Sequence, residues 1–104
     1  VENDINLDEA VSLINQALEI DPQNGAYIDS LGWAYYKKGK LDEALEKLKK
    51  AAELLEDPVI LDHLGDVYSK MNLKDLAIES WQKSLKLKAD QKKVKEKLEK
   101  LNEF

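Results

Sequence analysis

Small and bulky residues recur along this chain at a separation of 33 or 34 positions. A period of that length, with two helices in each unit, is typical of a helical solenoid, in which each unit buries its apolar face against the next. The pairs separated by 33 positions are Gly32 and Gly65, Tyr35 and Tyr68, Ala44 and Ala77, and Leu48 and Trp81. The pairs separated by 34 positions are Ala10 and Ala44, and Ala17 and Ala51.

Apolar periodicity and helix-end signals predict helices within each unit. The expected ranges are 7–20, about 25–38, about 41–55, 58–70, 74–87 and a last helix within 91–104. Asn6 and Asp57 are expected to cap the helices that follow them, with Pro58 at the first helical position. Gly39 and Asn72 are expected to end helices in the left-handed conformation, which both tolerate.

Two stretches resemble the tetratricopeptide repeat, whose pattern is W-x2-L-G-x2-Y, then A-x3-F, then a late Ala and Pro. Residues 25–57 match it with Ile28, Leu31, Gly32, Tyr35, Ala44, Leu48 and Ala51, of which Ile28 replaces the tryptophan of the pattern. Residues 58–90 match it with Leu61, Leu64, Gly65, Tyr68, Ala77, Trp81 and Ser84, of which Leu61 replaces the tryptophan and Ser84 stands where alanine is usual. Residues 1–24 match the second half only, with Ala10, Ile14, Ala17 and Pro22.

The resemblance implies an all-α fold, a right-handed α-solenoid of antiparallel helix pairs. Residues 1–24 would be a partial repeat, 25–57 and 58–90 complete repeats and 91–104 a C-terminal capping helix, all in one domain. Because no first helix precedes the partial repeat, we expect the chain to be a fragment of a longer array. Gly32 and Gly65 lie inside helices, where glycine costs about 1 kcal/mol relative to alanine, so we expect them to permit close helix packing.

Composition excludes several classes of function. The chain has no cysteine, so it can form neither a disulfide nor a cysteine-based zinc site. All 16 basic residues are lysine and the net charge is −5, which is a poor basis for nucleic-acid recognition. No apolar run approaches the roughly 20 residues of a membrane span. We expect a soluble protein, and cytoplasm and periplasm both remain open.

The last segment, 91–104, allows two interpretations. Val94, Leu98 and Leu101 form a narrow apolar stripe between charged faces. Such a helix can cover the end of a solenoid with a polar outer side. A lysine-rich amphipathic helix can instead bind a membrane surface, but this apolar face is slim, so capping is the favoured interpretation.

Candidate binding residues lie off the core side of the first helix in each repeat. Asp29, Trp33 and Tyr36 lie about 120° from the core residues at 100° per residue. The equivalent positions of the next repeat are Asp62, Asp66 and Ser69, with Lys37 and Lys70 at the rims. The family resemblance implies that these residues face a concave groove.

Each part of this surface has two interpretations. Trp33 and Tyr36 are either an aromatic platform for a partner or, for Trp33, packing against a neighbouring repeat. Asp62 and Asp66, joined by Asp29, are either an acidic groove for a basic or amide-rich segment or a solvated helix face. The resemblance also implies that family members which clamp C-terminal carboxylates use lysine and asparagine where this chain has Asp29, Trp33, Asp62 and Asp66. We therefore expect it not to bind acidic C-terminal peptides.

The sequence predicts no catalysis, metal or cofactor. His63 is the only histidine, it is about 100° from Asp62 on its helix, and zinc requires three or four converging ligands. No nucleophile elbow, glycine-rich phosphate loop or EF-hand spacing is present. The predicted function is a non-catalytic scaffold that binds a peptide or helical segment of a protein. The alternative is a structural spacer or self-association segment, with a homo-oligomer formed through the apolar surface of residues 7–20.

Overall fold

A computed structural model describes residues 6–102, which form six α-helices and contain no strand. The helices are α1 (Leu7–Ile20), α2 (Gly25–Lys37), α3 (Leu41–Leu54), α4 (Pro58–Lys70), α5 (Lys74–Leu87) and α6 (Lys92–Asn102). The predicted helices are confirmed to within a few residues at every end inside this range. The expectations for residues 1–5 and 103–104 lie outside the described residues.

Local interactions set several of the helix ends. The side chains of Asn6, Asn24 and Asp57 accept hydrogen bonds from backbone N–H groups in the first turns of α1, α2 and α4. These bonds satisfy donors that have no partner inside the helix. Gly39 and Asn72 have φ values of 81° and 63°, which confirms the predicted left-handed ends of α2 and α4.

The helices divide into two compact units, one with α1–α3 up to Leu55 and one with α4–α6 from Glu56. In the first unit α2 pairs with α1 and α3. Leu31 of α2 and Leu48 of α3 are buried, and a Cβ added to Gly32 would lie 2.8 Å from Leu48 Cγ. Gly32 therefore permits a close approach of α2 and α3, as predicted.

In the second unit α5 pairs with α4 and α6. The Trp81 indole fills the space above Gly65, where an added Cβ would lie only 2.3 Å from Nε1. Trp81 is 3% exposed, and its Nε1–H donates to the carbonyl oxygen of Asp62 at 3.2 Å. The residue that fills the gap between these helices is thus hydrogen-bonded as well as buried.

The contacts of Ser84 explain why a serine stands where the repeat pattern has alanine. Its side chain is fully buried, and its hydroxyl donates to the carbonyl oxygen of Pro58 at 2.8 Å. Gln91 Nε2 donates to the Ser84 carbonyl oxygen at 3.1 Å and to the Lys88 carbonyl oxygen at 2.7 Å. This network connects the start of α4, the end of α5 and the residue that precedes α6.

The apolar stripe of α6 is directed into its unit. Val94 is 2% exposed, and Leu98 and Leu101 are half-buried. A helix lying on a membrane would need this stripe for the lipid, whereas here the stripe packs within its own unit. Across residues 6–102, no helix has the length and apolar character required to cross a bilayer.

We expect Gly65→Ala to lower the free energy of unfolding by about 1–3 kcal/mol, because the added methyl group overpacks the contact with Trp81. In an unhindered helix the same change would stabilise by about 1 kcal/mol. Urea unfolding followed by circular dichroism measures the difference.

The matched background is Trp81→Leu, which removes the indole that the methyl group would meet. In that background Gly65→Ala should be neutral or stabilising. An equal loss with and without the indole would show that the cost does not come from this contact.

Candidate functional site

On α2, the structure brings two predicted residues into direct contact. The rings of Trp33 and Tyr36 are stacked, with centroids 4.6 Å apart and an interplanar angle of 14°. Their separation of three positions places them one turn apart on one helix face. Asp29, one turn before Trp33, is half-buried like both rings, and Lys37 is exposed. The sequence correctly placed the two aromatic residues together on α2.

On α4, the structure gives the two predicted acidic residues a shared partner. The Lys97 ammonium of α6 lies 2.8 Å from Asp62 Oδ1 and 2.9 Å from Asp66 Oδ1. It also lies 5.9 Å from the centroid of the Trp81 ring, within the range of a cation–π interaction. Ser69 is half-buried and Lys70 is exposed on the same helix. The predicted acidic surface of α4 therefore holds a cation supplied by the chain itself.

Sequence reasoning missed Lys97, although a signal was present. Val94, Lys97, Leu98 and Leu101 follow the i, i+3, i+4, i+7 spacing of a single helix face. A lysine inside an apolar stripe needs a counter-charge or a route to water. That position could have indicated a paired lysine, but the sequence does not show which carboxylates it meets 31 and 35 positions away.

Burial and charge act against each other in this cluster. Burial raises the pKa of Asp66, and the hydrogen bond and charge of Lys97 offset only part of that effect. Burial alone lowers the pKa of Lys97, but the hydrogen bonds and charges of Asp62 and Asp66 outweigh it, so the Lys97 pKa lies above its ordinary value. Lys97 is therefore fully charged at neutral pH.

A second ion pair lies outside the predicted surface, in the first unit. Lys38, the residue after α2, donates to a carboxylate oxygen of Asp8 in α1. The hydrogen bond and the charge of Lys38 lower the pKa of Asp8, whose side chain is largely exposed. Because the carboxylate of the pair is solvated, we assign the pair a minor role in stability.

His63 is half-buried on α4, beside Asp62 in sequence. Within residues 6–102, no three His, Cys, Asp or Glu side chains are grouped so that they could hold a metal ion. Tyr68 of the same helix is buried, and that burial raises the pKa of its hydroxyl. The chemistry available at the two helix faces is thus aromatic stacking on α2 and carboxylate–ammonium pairing on α4.

Family models described as tetratricopeptide repeat match residues 26–58 and residues 6–24 and 60–91. A TPR repeat-containing protein of Methanocaldococcus jannaschii is 34% identical over 80 residues, which is 77% of this chain. The match spans only 14% of that relative's length.

Two solved structures show the same fold. A thermophilic TPR protein of Thermus thermophilus superposes with a TM-score of 0.86 at 23% identity, over 94% of this chain and 50% of that one. The first TPR domain of Spaghetti (RPAP3), solved with the HSP90 peptide SRMEEVD bound, has a TM-score of 0.89 at 18% identity, over 93% and 78% of the two chains. The likeness shows the all-α fold of TPR-type helical solenoids.

We expect Lys97→Met to lower the free energy of unfolding at neutral pH by about 1–2 kcal/mol, because two half-buried carboxylates lose their cation. The matched control is Lys95→Met on an exposed position of α6, which should change it by less than about 0.5 kcal/mol. Chemical unfolding of the three proteins across pH measures the difference.

The loss of unfolding free energy caused by Lys97→Met should become smaller at both ends of the pH range. With its pKa raised, Lys97 stabilises the wild type fully below its ordinary pKa of about 10.5, and this contribution is lost as pH rises through the folded-state pKa. At acid pH the variant regains stability as Asp66 protonates, since its folded-state pKa is above the ordinary value. A deficit independent of pH would contradict the assignment of the ion pair.

Proposed function

Because the chain belongs to the tetratricopeptide repeat family, we propose that it is a non-catalytic protein-interaction scaffold that binds a peptide or helical segment of a partner. The stacked pair of Trp33 and Tyr36 on α2 is the observation that carries this proposal. We place the main contact of the partner on these two rings. Asp29 and Lys37 supply polar contacts at their edges.

Two physical properties support this choice. Tryptophan and tyrosine are enriched among residues that dominate binding energy, since they offer large apolar area with few rotatable bonds. Trp33 and Tyr36 also constrain each other by stacking, so a partner that packs on them has less side-chain freedom to remove. The helix holds the platform in place before binding, and association mainly orders the partner.

The corresponding side of α4 is proposed as a contact surface in its own unit. Asp62, Asp66, Ser69 and Lys70 offer polar groups rather than aromatic rings. The two carboxylates favour a basic segment over an acidic one. With Lys97 bound to them, the α2 pair is the better-supported primary contact.

The α1 helix favours a second candidate function, self-association. Leu13 is 58% exposed and Ile20 is 88% exposed, and their separation of seven positions places them on one face of α1. Apolar side chains arranged in this way can pair with the same face of a second copy. The chain would then act as a self-association segment of a larger protein.

For the scaffold, we expect Trp33→Ala and Tyr36→Ala each to weaken binding about thirtyfold or more, because truncating an aromatic hot spot costs about 2 kcal/mol or more. The midpoint of thermal unfolding verifies that each variant is folded. The probe is a 12-residue peptide selected on the full chain from a random display library. Titration calorimetry measures its affinity for each variant.

Tyr27→Ala is the matched control, since Tyr27 is a 41% exposed aromatic residue of the same helix, on the side away from the stacked pair. It should bind the peptide as the wild type does. The SRMEEVD peptide is a second control and should not bind, because Asp29, Trp33, Asp62 and Asp66 cannot clamp carboxylates. Unchanged affinity in both Trp33→Ala and Tyr36→Ala, or tight binding of SRMEEVD, would refute this proposal.

For self-association, sedimentation velocity over a concentration series is the direct measurement. We expect a concentration-dependent dimer that is lost in the Leu13→Gln/Ile20→Gln double variant. Leu54→Gln, which changes a 39% exposed leucine of α3, is the control and should leave the dimer intact. A wild-type protein that stays monomeric at all concentrations would exclude this candidate.

A further inference from the structure

We propose that Asp62, Asp66 and Trp81 form a receptor for a lysine carried on an amphipathic helix. The chain's own α6 occupies this receptor, and a partner helix with the same residue pattern can replace it. The site lies within α4–α6 and does not depend on the stacked pair of α2, so it is a second interaction surface with its own built-in competitor.

Three groups of the receptor lie around one ammonium group. Asp62 and Asp66 are one turn apart on α4 and contribute a carboxylate each, with O···N distances of 2.8 and 2.9 Å to Lys97. Trp81 of α5 places its ring 5.9 Å from the same nitrogen. Carboxylates with an aromatic face are well suited to a primary ammonium, which has three donors and a compact charge.

The receptor groups are held by contacts that do not involve α6. The Asp62 carbonyl oxygen accepts the Trp81 indole N–H at 3.2 Å, and the ring is packed above Gly65. Both helices bury several side chains between them, including Leu64 and Ala77. If α6 moves away, the two carboxylates and the ring therefore remain in place, as a receptor for a different helix requires.

The charge of the cluster also favours an exchange of cations. Two carboxylates face one ammonium, so the cluster keeps an excess negative charge while Lys97 is bound. An approaching lysine is attracted to this excess before Lys97 has left. Besides Lys97, two side chains act on Asp66 through their charge: Asp62 raises the Asp66 pKa and His63 lowers it.

α6 has few contacts with which to resist replacement. Val94 is the only buried side chain of residues 92–101, whereas α4 and α5 each bury at least four residues. The preceding residues 88–90 are exposed. An 11-residue helix is marginal on its own in water, so α6 depends on Val94, Lys97 and the Gln91 network to stay in place. Elements with so few buried contacts open most readily.

The residues of α6 that occupy the receptor indicate the sequence pattern of the partner helix. Val94, Lys97, Leu98 and Leu101 give the pattern of a β-branched residue, a lysine three positions later and leucines four and seven positions later. A partner helix with this pattern can supply the same apolar side chains and the same ammonium. Because α6 is tethered, the apparent affinity for the partner equals its intrinsic affinity multiplied by the fraction of molecules in which α6 is released.

The test uses a fluorescein-labelled peptide with the sequence of residues 91–102, QKKVKEKLEKLN, titrated with the full chain and followed by anisotropy. The Lys97→Met protein has lost its internal ammonium but keeps Asp62, Asp66 and Trp81. If α6 is released in about 1% of wild-type molecules and in about 10–20% of Lys97→Met molecules, we expect this variant to bind the peptide about ten- to twentyfold more tightly than the wild type. Lys95→Met, on the exposed side of α6, should bind as the wild type does.

Two changes test the chemistry of the receptor. Asp62→Asn/Asp66→Asn in the Lys97→Met protein should abolish the gain, and so should a peptide with methionine in place of the lysine that corresponds to Lys97. Val94→Ala loosens α6 without changing a charge, so it should also tighten peptide binding. This variant replaces Lys97→Met in the test if Lys97→Met folds poorly. Circular dichroism verifies that each variant is helical.

Three results would overturn the proposal. The first is equal peptide affinity for the wild type, Lys97→Met and Val94→Ala. The second is equal binding of the lysine and methionine peptides. The third is a Val94→Ala dimer in sedimentation that requires Asp62 and Asp66, which would make α6 of a second copy the occupant instead of a partner helix.

Discussion

The packing of the Trp81 indole onto Gly65 is the contact on which the second unit depends. Because Gly65 has no Cβ, the ring can occupy the position where that atom would stand, and α4 and α5 approach closely. The same placement directs the indole N–H to the Asp62 carbonyl oxygen and leaves the ring near Lys97. A single small residue therefore permits the close spacing of α4 and α5 and the position of the ring that lies near the charged cluster.

The helices could be predicted from the sequence because their ends depend on local interactions. Asn6 and Asp57 bond to backbone groups within three positions, and Gly39 and Asn72 adopt backbone angles that few other residues tolerate. The close approach at Gly65 was predictable for a related reason, since glycine inside a helix is otherwise unfavourable. The repeat period then supplied the pairing of the helices, which local signals alone do not give.

The candidate binding surfaces could be predicted only in part. Helical geometry placed Trp33 with Tyr36 and Asp62 with Asp66, because residues three or four positions apart on a helix are neighbours. It could not place Lys97 beside the two carboxylates, since that contact depends on how α6 packs in its unit. A hydrophobic stripe constrains which face of a helix is buried, but not which polar group of another helix it meets.

The two units differ most at positions for which the repeat pattern specifies no residue type. The core residues Gly32 and Gly65 are equivalent, whereas Trp33 and Tyr36 correspond to Asp66 and to a serine at position 69. The core must repeat because each helix pair solves the same packing problem, while the other helix face is free to vary. One unit therefore presents stacked aromatic rings and the other a carboxylate pair around an ammonium. In a repeat fold, the positions that break the period are the ones that distinguish one partner from another.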